Sequence, residues 1–256
     1  MTHDYLLADG SILHGLPLMQ RLMDHPSAVA LYDTQGPEAK LIGPWLVEAS
    51  ALPEWASLPP PLNLGLSLLS SVGTAADVLV HLRGLATVQT DDEQRFYLRY
   101  ADTRVLQAMQ MAWPEFLLAR VKGPLLSWRW MDRFGEPQEF ADGLRGVSAE
   151  LPVLSLRQFE ALINAGEPDR MAQMLGELRD ERIQPLNNNA HYQWMKQALS
   201  WCDAQGFAHW TSRRAAACQT ILSEGQVLQA QALETWIQTL SVDADPTGPL
   251  PPVHKA

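Results

Sequence analysis

The sequence predicts an α+β protein in two parts: an N-terminal mixed α/β lobe with a β-sheet and short helices over residues 1–135, then an all-α lobe over 152–241. Three observations lead there. Up to about residue 132, short apolar runs of strand length alternate with stretches whose apolar residues recur every three to four positions. From Leu151 only the helical period remains. Between them GEPQEFADGLRGVSAELP (135–152) keeps neither period and reads as the boundary. A chain of 256 residues that is 46% hydrophobic and 19% charged can bury roughly 70–75% of its unfolded surface and fold without staples.

Each element has a local reason. Tyr5–Ala8 is a strand stopped by the turn pair Asp9-Gly10, and Pro17 opens a helix with Leu18, Met19, Leu22 and Met23 on its apolar face. AVALY (28–32) is a buried strand closed by the turn-rich DTQGPEA, and GPWLVE (43–48) is another. Prolines 59 to 61 force an extended link. LGLSLLSS (64–71) is a strand leading to Thr74, which with Asp77 three residues on marks a helix start. Val78, Leu79, Leu82 and Leu85 line that helix. ATVQT and RFYLRY form a hairpin around the four-residue loop DDEQ. Asp102 or Thr103 caps the next helix, and another runs from Trp113-Pro114 to about Lys122. GPLLSWRWMD (123–132) is a strand with Leu126, Trp128 and Trp130 on one face.

The second lobe is a run of about five helices. Ser155 with Gln158 opens the first, which ends at Gly166, and Pro168 starts DRMAQMLGELRDER (169–182). AHYQWMKQALSWCDAQG closes at Gly206, and 211–225 and 227–240 follow. Residues 242–256 lack apolar periodicity and are expected to form a flexible tail.

The formal net charge is -10, with 11 Lys/Arg against 18 Asp/Glu in residues 1–150 and 8 against 11 in 151–256. Neither part offers the basic surface that phosphates demand, so neither nucleic acid nor an anionic membrane is expected as partner. MTHDYLLADG lacks the basic flank of a signal peptide, and no run approaches the roughly 18 apolar residues of a membrane span. Cys202 and Cys218 therefore read as reduced, buried thiols of a cytoplasmic protein.

Motifs that would announce chemistry are missing. There is no G-x-S-x-G elbow, no phosphate loop, no H-E-x-x-H and no paired C-x-x-C, so no catalytic, cofactor-binding or metal-binding residue is assigned. The seven histidines are scattered; His81, beside the apolar face of its helix, fits a satisfied core position better than a ligand. A cofactor-independent hydrolase assembled from distant Ser, His and Asp groups stays open as an alternative.

Charge is instead concentrated in RFYLRYADTRVL (95–106). An Asp at a helix start can accept backbone N–H bonds, and a nearby Arg fork can hold the same carboxylate. Arg99, Asp102 and Arg104 thus form either a structural clasp that fixes the strand–helix angle or a partner-binding site. An Arg/Asp pair without nucleophile or base favours the clasp. Among nine tryptophans, Trp45, Trp128 and Trp130 are core residues by the commoner reading and interface aromatics by the alternative.

YLLADG, ALYD, GPWLV, HLRGLATVQTDDEQRFYLRYADTRVL and KGPLLSWRW resemble, in order and spacing, the adaptor-chaperone family of bacterial type VI secretion over residues 5 to about 132. The strongest block is 95–106, where the family shows Asp-Pro-Arg and this chain has Asp102, Thr103 and Arg104; Thr also suits a helix start. The resemblance implies a cytoplasmic adaptor without enzymatic activity or cofactor. It would bind a secreted effector protein and help load it onto the valine–glycine repeat spike protein VgrG, with the N-terminal lobe as platform and the helical lobe closing one side of a groove. A general cytoplasmic scaffold is the remaining alternative.

Overall fold

The computed structural model describes residues 2–32, 36–59, 62–141, 153–185, 188–229, 231–240 and 245–248. The chain divides into two units, Met1–Ala165 and Gly166–Ala256.

The first unit is built on strand β1 (His3–Asp9), followed by the one-turn helix α1 (Gly10–Leu13), α2 (Pro17–Met23), β2 (Val29–Ala30), α3 (Pro37–Ile42), β3 (Pro44–Glu48), β4 (Leu66–Ser71) and α4 (Ala75–Gly84). Next come β5 (Thr87–Thr90), β6 (Arg95–Tyr97), α5 (Thr103–Ala112), α6 (Glu115–Lys122), β7 (Ser127–Met131), β8 (Pro137–Glu139), β9 (Val153–Leu154) and α7 (Leu156–Ala165). Six strands form one antiparallel sheet in the order β2-β3-β1-β4-β7-β8. A second sheet has the order β6-β5-β9, with β9 parallel to β5.

The large sheet is covered on both faces, which explains why its central strands read as unbroken apolar runs. Tyr5, Leu7, Leu46, Leu69, Trp128 and Trp130 lie on one face and share a core with Val78 and Leu82 of α4, Leu106 and Met109 of α5, and Leu117 and Val121 of α6. Leu6, Ala8, Trp45, Val47, Leu66 and Leu68 lie on the other, with Leu13, Met19, Leu22 and Leu52. The register agrees with this division, since Tyr5 pairs with Leu69 and Leu6 with Leu68. Each fully buried leucine contributes roughly 1.5–3 kcal/mol.

The expected α+β class, with sheets and short helices first and mostly helix afterwards, is what the structure has. Several details differ. Asp9-Gly10 is not a turn pair: Asp9 ends the strand and caps α1 through its carboxylate. PEAKLI forms α3, with Pro37 at its start and Glu38 and Lys40 favouring opposite ends. Part of the expected boundary adds strand β8 to the sheet and buries Phe140 completely. Helix α7, expected in the second lobe, packs along α5 and belongs to the first unit. Two expected features fall wholly or partly outside the described residues: prolines 60 and 61, and 142–152 of the boundary.

Two local features are directly testable. Glu93, in the β5–β6 loop, holds φ +68, a conformation that costs a side chain about 1–2 kcal/mol and glycine almost nothing. Glu93→Gly should therefore raise stability by about 0.5 kcal/mol after glycine's larger chain entropy is subtracted, read from the denaturation midpoint.

His81 is buried in α4, and its Nε2 sits 2.9 Å from the Val121 carbonyl oxygen, so that nitrogen carries the proton and donates. The ring lies where a Cβ on Gly123 would stand, 2.1 Å from His81 Cε1, and Gly123 has φ +54. Burial pulls the His81 pKa below its ordinary 6.5. Protonation then favours the unfolded chain. The stabilisation from neutral His81 is present above pH 6.5 and is lost as pH falls from there through the lowered folded value. Relative to His81→Gln, the wild-type unfolding free energy should be flat above pH 7 and decline as the pH falls below 6.5.

The second unit holds α8 (Glu167–Gly176), α9 (Asn189–Gln205), α10 (Trp210–Leu222) and α11 (Gln231–Thr239). Met171, Leu175, Met195, Leu199, Ala216, Cys218, Ile221 and Ile237 are buried there. Helix α8 stops at Gly176, short of the expected 182, and Arg179 beyond it has φ +53. Gly206, at φ +75, ends α9 as expected. Buried Arg213 ties three helices together. Its Nε and Nη2 donate to Glu167, and its Nη1 donates to Asp203 Oδ1 at 2.6 Å and to the Phe207 carbonyl at 3.3 Å. Within the expected tail, 245–248 is pinned rather than loose, because Gln219 Nε2 donates to the carbonyls of Pro246 (3.1 Å) and Gly248 (2.7 Å). The rest of 242–256 lies outside the described residues.

Candidate functional site

The charged stretch at 95–106 closes into a network at the start of α5. Asp102 is the N-cap: its Oδ1 accepts from the Arg104 backbone N–H at 3.1 Å. The Arg104 guanidinium grips the same carboxylate with both arms, Nε to Oδ1 at 2.8 Å and Nη2 to Oδ2 at 2.7 Å. Arg99 Nη2 reaches Asp102 Oδ2 at 3.4 Å. The Asp102 side chain is only 3% exposed and that of Arg99 is 52% exposed, so a buried anion is held between two cations that reach it from the surface.

Arg99 also spans 90 residues of sequence. Its Nη2 lies 3.3 Å from Asp9 Oδ2 and donates to Ser11 Oγ at 2.6 Å. Asp9 is itself buried, and its Oδ1 accepts from the backbone N–H groups of Ser11 (2.8 Å) and Ile12 (3.2 Å). Two helix-capping aspartates, on α1 and α5, are thereby joined through one guanidinium. Thr103 Oγ1 adds a bond to the Leu64 carbonyl at 3.1 Å, which fixes α5 to the turn before β4.

The neighbourhood extends through backbone. Gly10 N–H donates to the Gly43 carbonyl at 3.1 Å, and a Cβ on Gly10 would stand 2.5 Å from that oxygen and 2.6 Å from the Leu41 oxygen. A Cβ on Gly43 would meet the Tyr32 ring at 2.8 Å. Arg83 Nε and Nη2 donate to the carbonyls of Leu31 (3.1 Å) and Ala30 (3.4 Å), closing the edge of the large sheet at β2. YLLADG, GPWLV and RYADTR, scattered over a hundred residues, thus meet around one structural knot, while HLRG holds Ala30 and Leu31 at the sheet edge.

Arg99, Asp102 and Arg104 are brought together as expected. Asp9, Ser11 and Arg83 are not legible in the sequence as members of the site: Asp9 followed by a short apolar run is a readable helix cap, but the adjacent glycine suggests a turn instead. The alternative role for the tryptophans is corrected. Trp128 and Trp130 are fully buried and Trp45 nearly so, because β3 and β7 are covered on the faces that carry them. Trp128 Nε1 donates to Ser67 Oγ at 3.0 Å, and Phe140 lies edge-on to both Trp128 and Trp130. The large apolar side chains that do face solvent include Tyr97 (71% exposed), Met111 (78%) and Phe116 (61%).

Among the described residues, one Ser–His hydrogen-bonded pair is seen. Ser27 Oγ lies 2.8 Å from His25 Nδ1 and accepts from the Glu48 backbone N–H at 2.9 Å, so it fastens the turn before β2 to β3. Cys202 and Cys218 are free and buried, and burial pushes both thiols up to about 12, which keeps them un-ionised near neutral pH. Among the described residues no group of three or more His, Cys, Asp or Glu is placed to hold a metal ion, and no helix is long and apolar enough to cross a membrane.

With the knot in view, comparison with known families places its main parts in one segment. Residues 5–116 match the model of a domain of unknown function, DUF4123. Neither the curated proteins nor the solved structures compared with the chain gave a match. The DUF4123 segment runs from β1 to the start of α6 and contains Asp9, Gly10, Gly43, Arg83, Arg99, Asp102 and Arg104. It stops before β7 and β8, although these complete the same sheet.

Proposed function

We propose that this chain is an adaptor of type VI secretion that binds an effector and helps to load it onto the spike protein VgrG. DUF4123 is a domain associated with effector adaptors of that system. The observation that carries the reading is the knot within the DUF4123 segment, where buried carboxylates, arginines and close glycine contacts are all spent on holding backbone in place. Such an arrangement makes a rigid platform, and a rigid platform loses little entropy on binding a partner. The protein acts by binding, without catalysis or cofactor, in the cytoplasm. With the tryptophans in the core, the apolar anchors for a partner are sought among Tyr97, Met111 and Phe116.

Co-expression with a candidate effector and a VgrG protein from the same genome tests the reading. A soluble complex with the effector, joined by VgrG in a second step, is expected. A folded chain that binds neither at micromolar concentration overturns it.

A further inference from the structure

The β9–α7 segment is held on the first unit by few buried contacts. β9 contributes two residues and pairs in parallel with β5. α7, ten residues long, has no fully buried side chain; Phe159 and Leu162, three apart, are partly buried against the core, as are Phe96 and Val105. Phe159 and Phe96 have ring centroids 4.3 Å apart, and α7 runs against α5. Only Leu154 is wholly buried. α7 also carries its own helix-start signal: the Ser155 backbone N–H donates to Gln158 Oε1 at 2.9 Å, and the Gln158 N–H donates to Ser155 Oγ at 3.3 Å. Leu156 and Ile163 on its outer side remain exposed.

A helix held by half-buried contacts and a two-residue strand lies at the low-stability end of a domain, where opening occurs without global unfolding. Helix-in-groove recognition works through apolar anchors at such spacing, so a surface that seats an aromatic and, three residues on, an aliphatic side chain suits an amphipathic helix that repeats the pattern.

We propose that Val153–Ala165 is a displaceable strap, and that the surface beneath it, formed by α5 and Phe96, takes an amphipathic helix from a partner protein in its place. This rests on the adaptor reading for the partner's existence, while the strap itself is tested without one. In hydrogen exchange on the full chain, amides of 156–165 should exchange at least about 100-fold faster than those of Leu6–Ala8, since they open locally. A labelled peptide SLRQFEALINAG (residues 155–166) should bind the full-length Phe159→Ala/Leu162→Ala variant more than about tenfold tighter than wild type, whose own strap competes. The Phe159→Ala/Leu162→Ala peptide should bind neither. Exchange in α7 as slow as in β1, or a folded variant that gives no peptide binding at millimolar concentration, overturns the strap. Neither readout uses effector or VgrG, so failure here leaves the adaptor reading standing, and failure of that complex to form leaves the strap standing.

Discussion

Asp102→Ala is expected to lower the stability of the first unit by about 3 kcal/mol, a fall of about 6–12 °C in melting temperature for a unit of this size. Three losses combine. The cap of α5 goes, typically about 1 kcal/mol. The two-armed bond from Arg104 goes with it, and the carboxylate it served is almost wholly buried. Arg99 and Arg104, which share Asp102 Oδ2, are left facing each other as like charges. The arginines are partly exposed, so water recovers some of their solvation; this keeps the figure below that of a fully buried pair. Asp102→Asn keeps an acceptor for the Arg104 N–H and should lose about half as much. Partner binding should fall together with stability. Binding lost at unchanged melting temperature would make Asp102 a contact residue instead.

Gly10→Ala is expected to cost about 3 kcal/mol through a different cause. The added methyl would sit 2.5 Å from one carbonyl oxygen and 2.6 Å from another, and both belong to the backbone that joins α3 to β3. No side chain can rotate away to make room. Relief requires α1 to move off β3, which would lengthen the Gly10 to Gly43 hydrogen bond and shift Asp9, the residue that Arg99 holds. Chemical denaturation reads the loss, and its combination with Asp102→Ala should be non-additive because both act on the same knot.

Local signals in the sequence anticipated much of this. The Thr74/Asp77 and Ser155/Gln158 boxes, the DDEQ hairpin, the Asp102 cap and the Gly206 stop are set by interactions within a few residues, and each is where the pattern put it. What was not legible depends on residues far apart. Asp9 looks like half of a turn until Arg99, ninety positions on, supplies its partner. Phe140 sits in a polar, glycine-rich stretch and is buried only because β8 pairs with β7. α7 has the same periodicity as the helices after it, and nothing in its own residues says that it packs on α5. Trp45, Trp128 and Trp130 carried two readings because exposure is a property of the layers that cover a strand.

Arg99, Asp102 and Arg104 were found from their spacing, yet their role emerges only from the carboxylate's burial and from the link to Asp9. That cluster holds the first unit in shape. A double-mutant cycle on unfolding free energy, with Asp102→Ala, Arg104→Ala and the two combined, isolates the ion pair, since loss of the cap enters both arms and cancels. A coupling of at least about 1 kcal/mol is expected; additivity within about 0.3 kcal/mol would contradict the account.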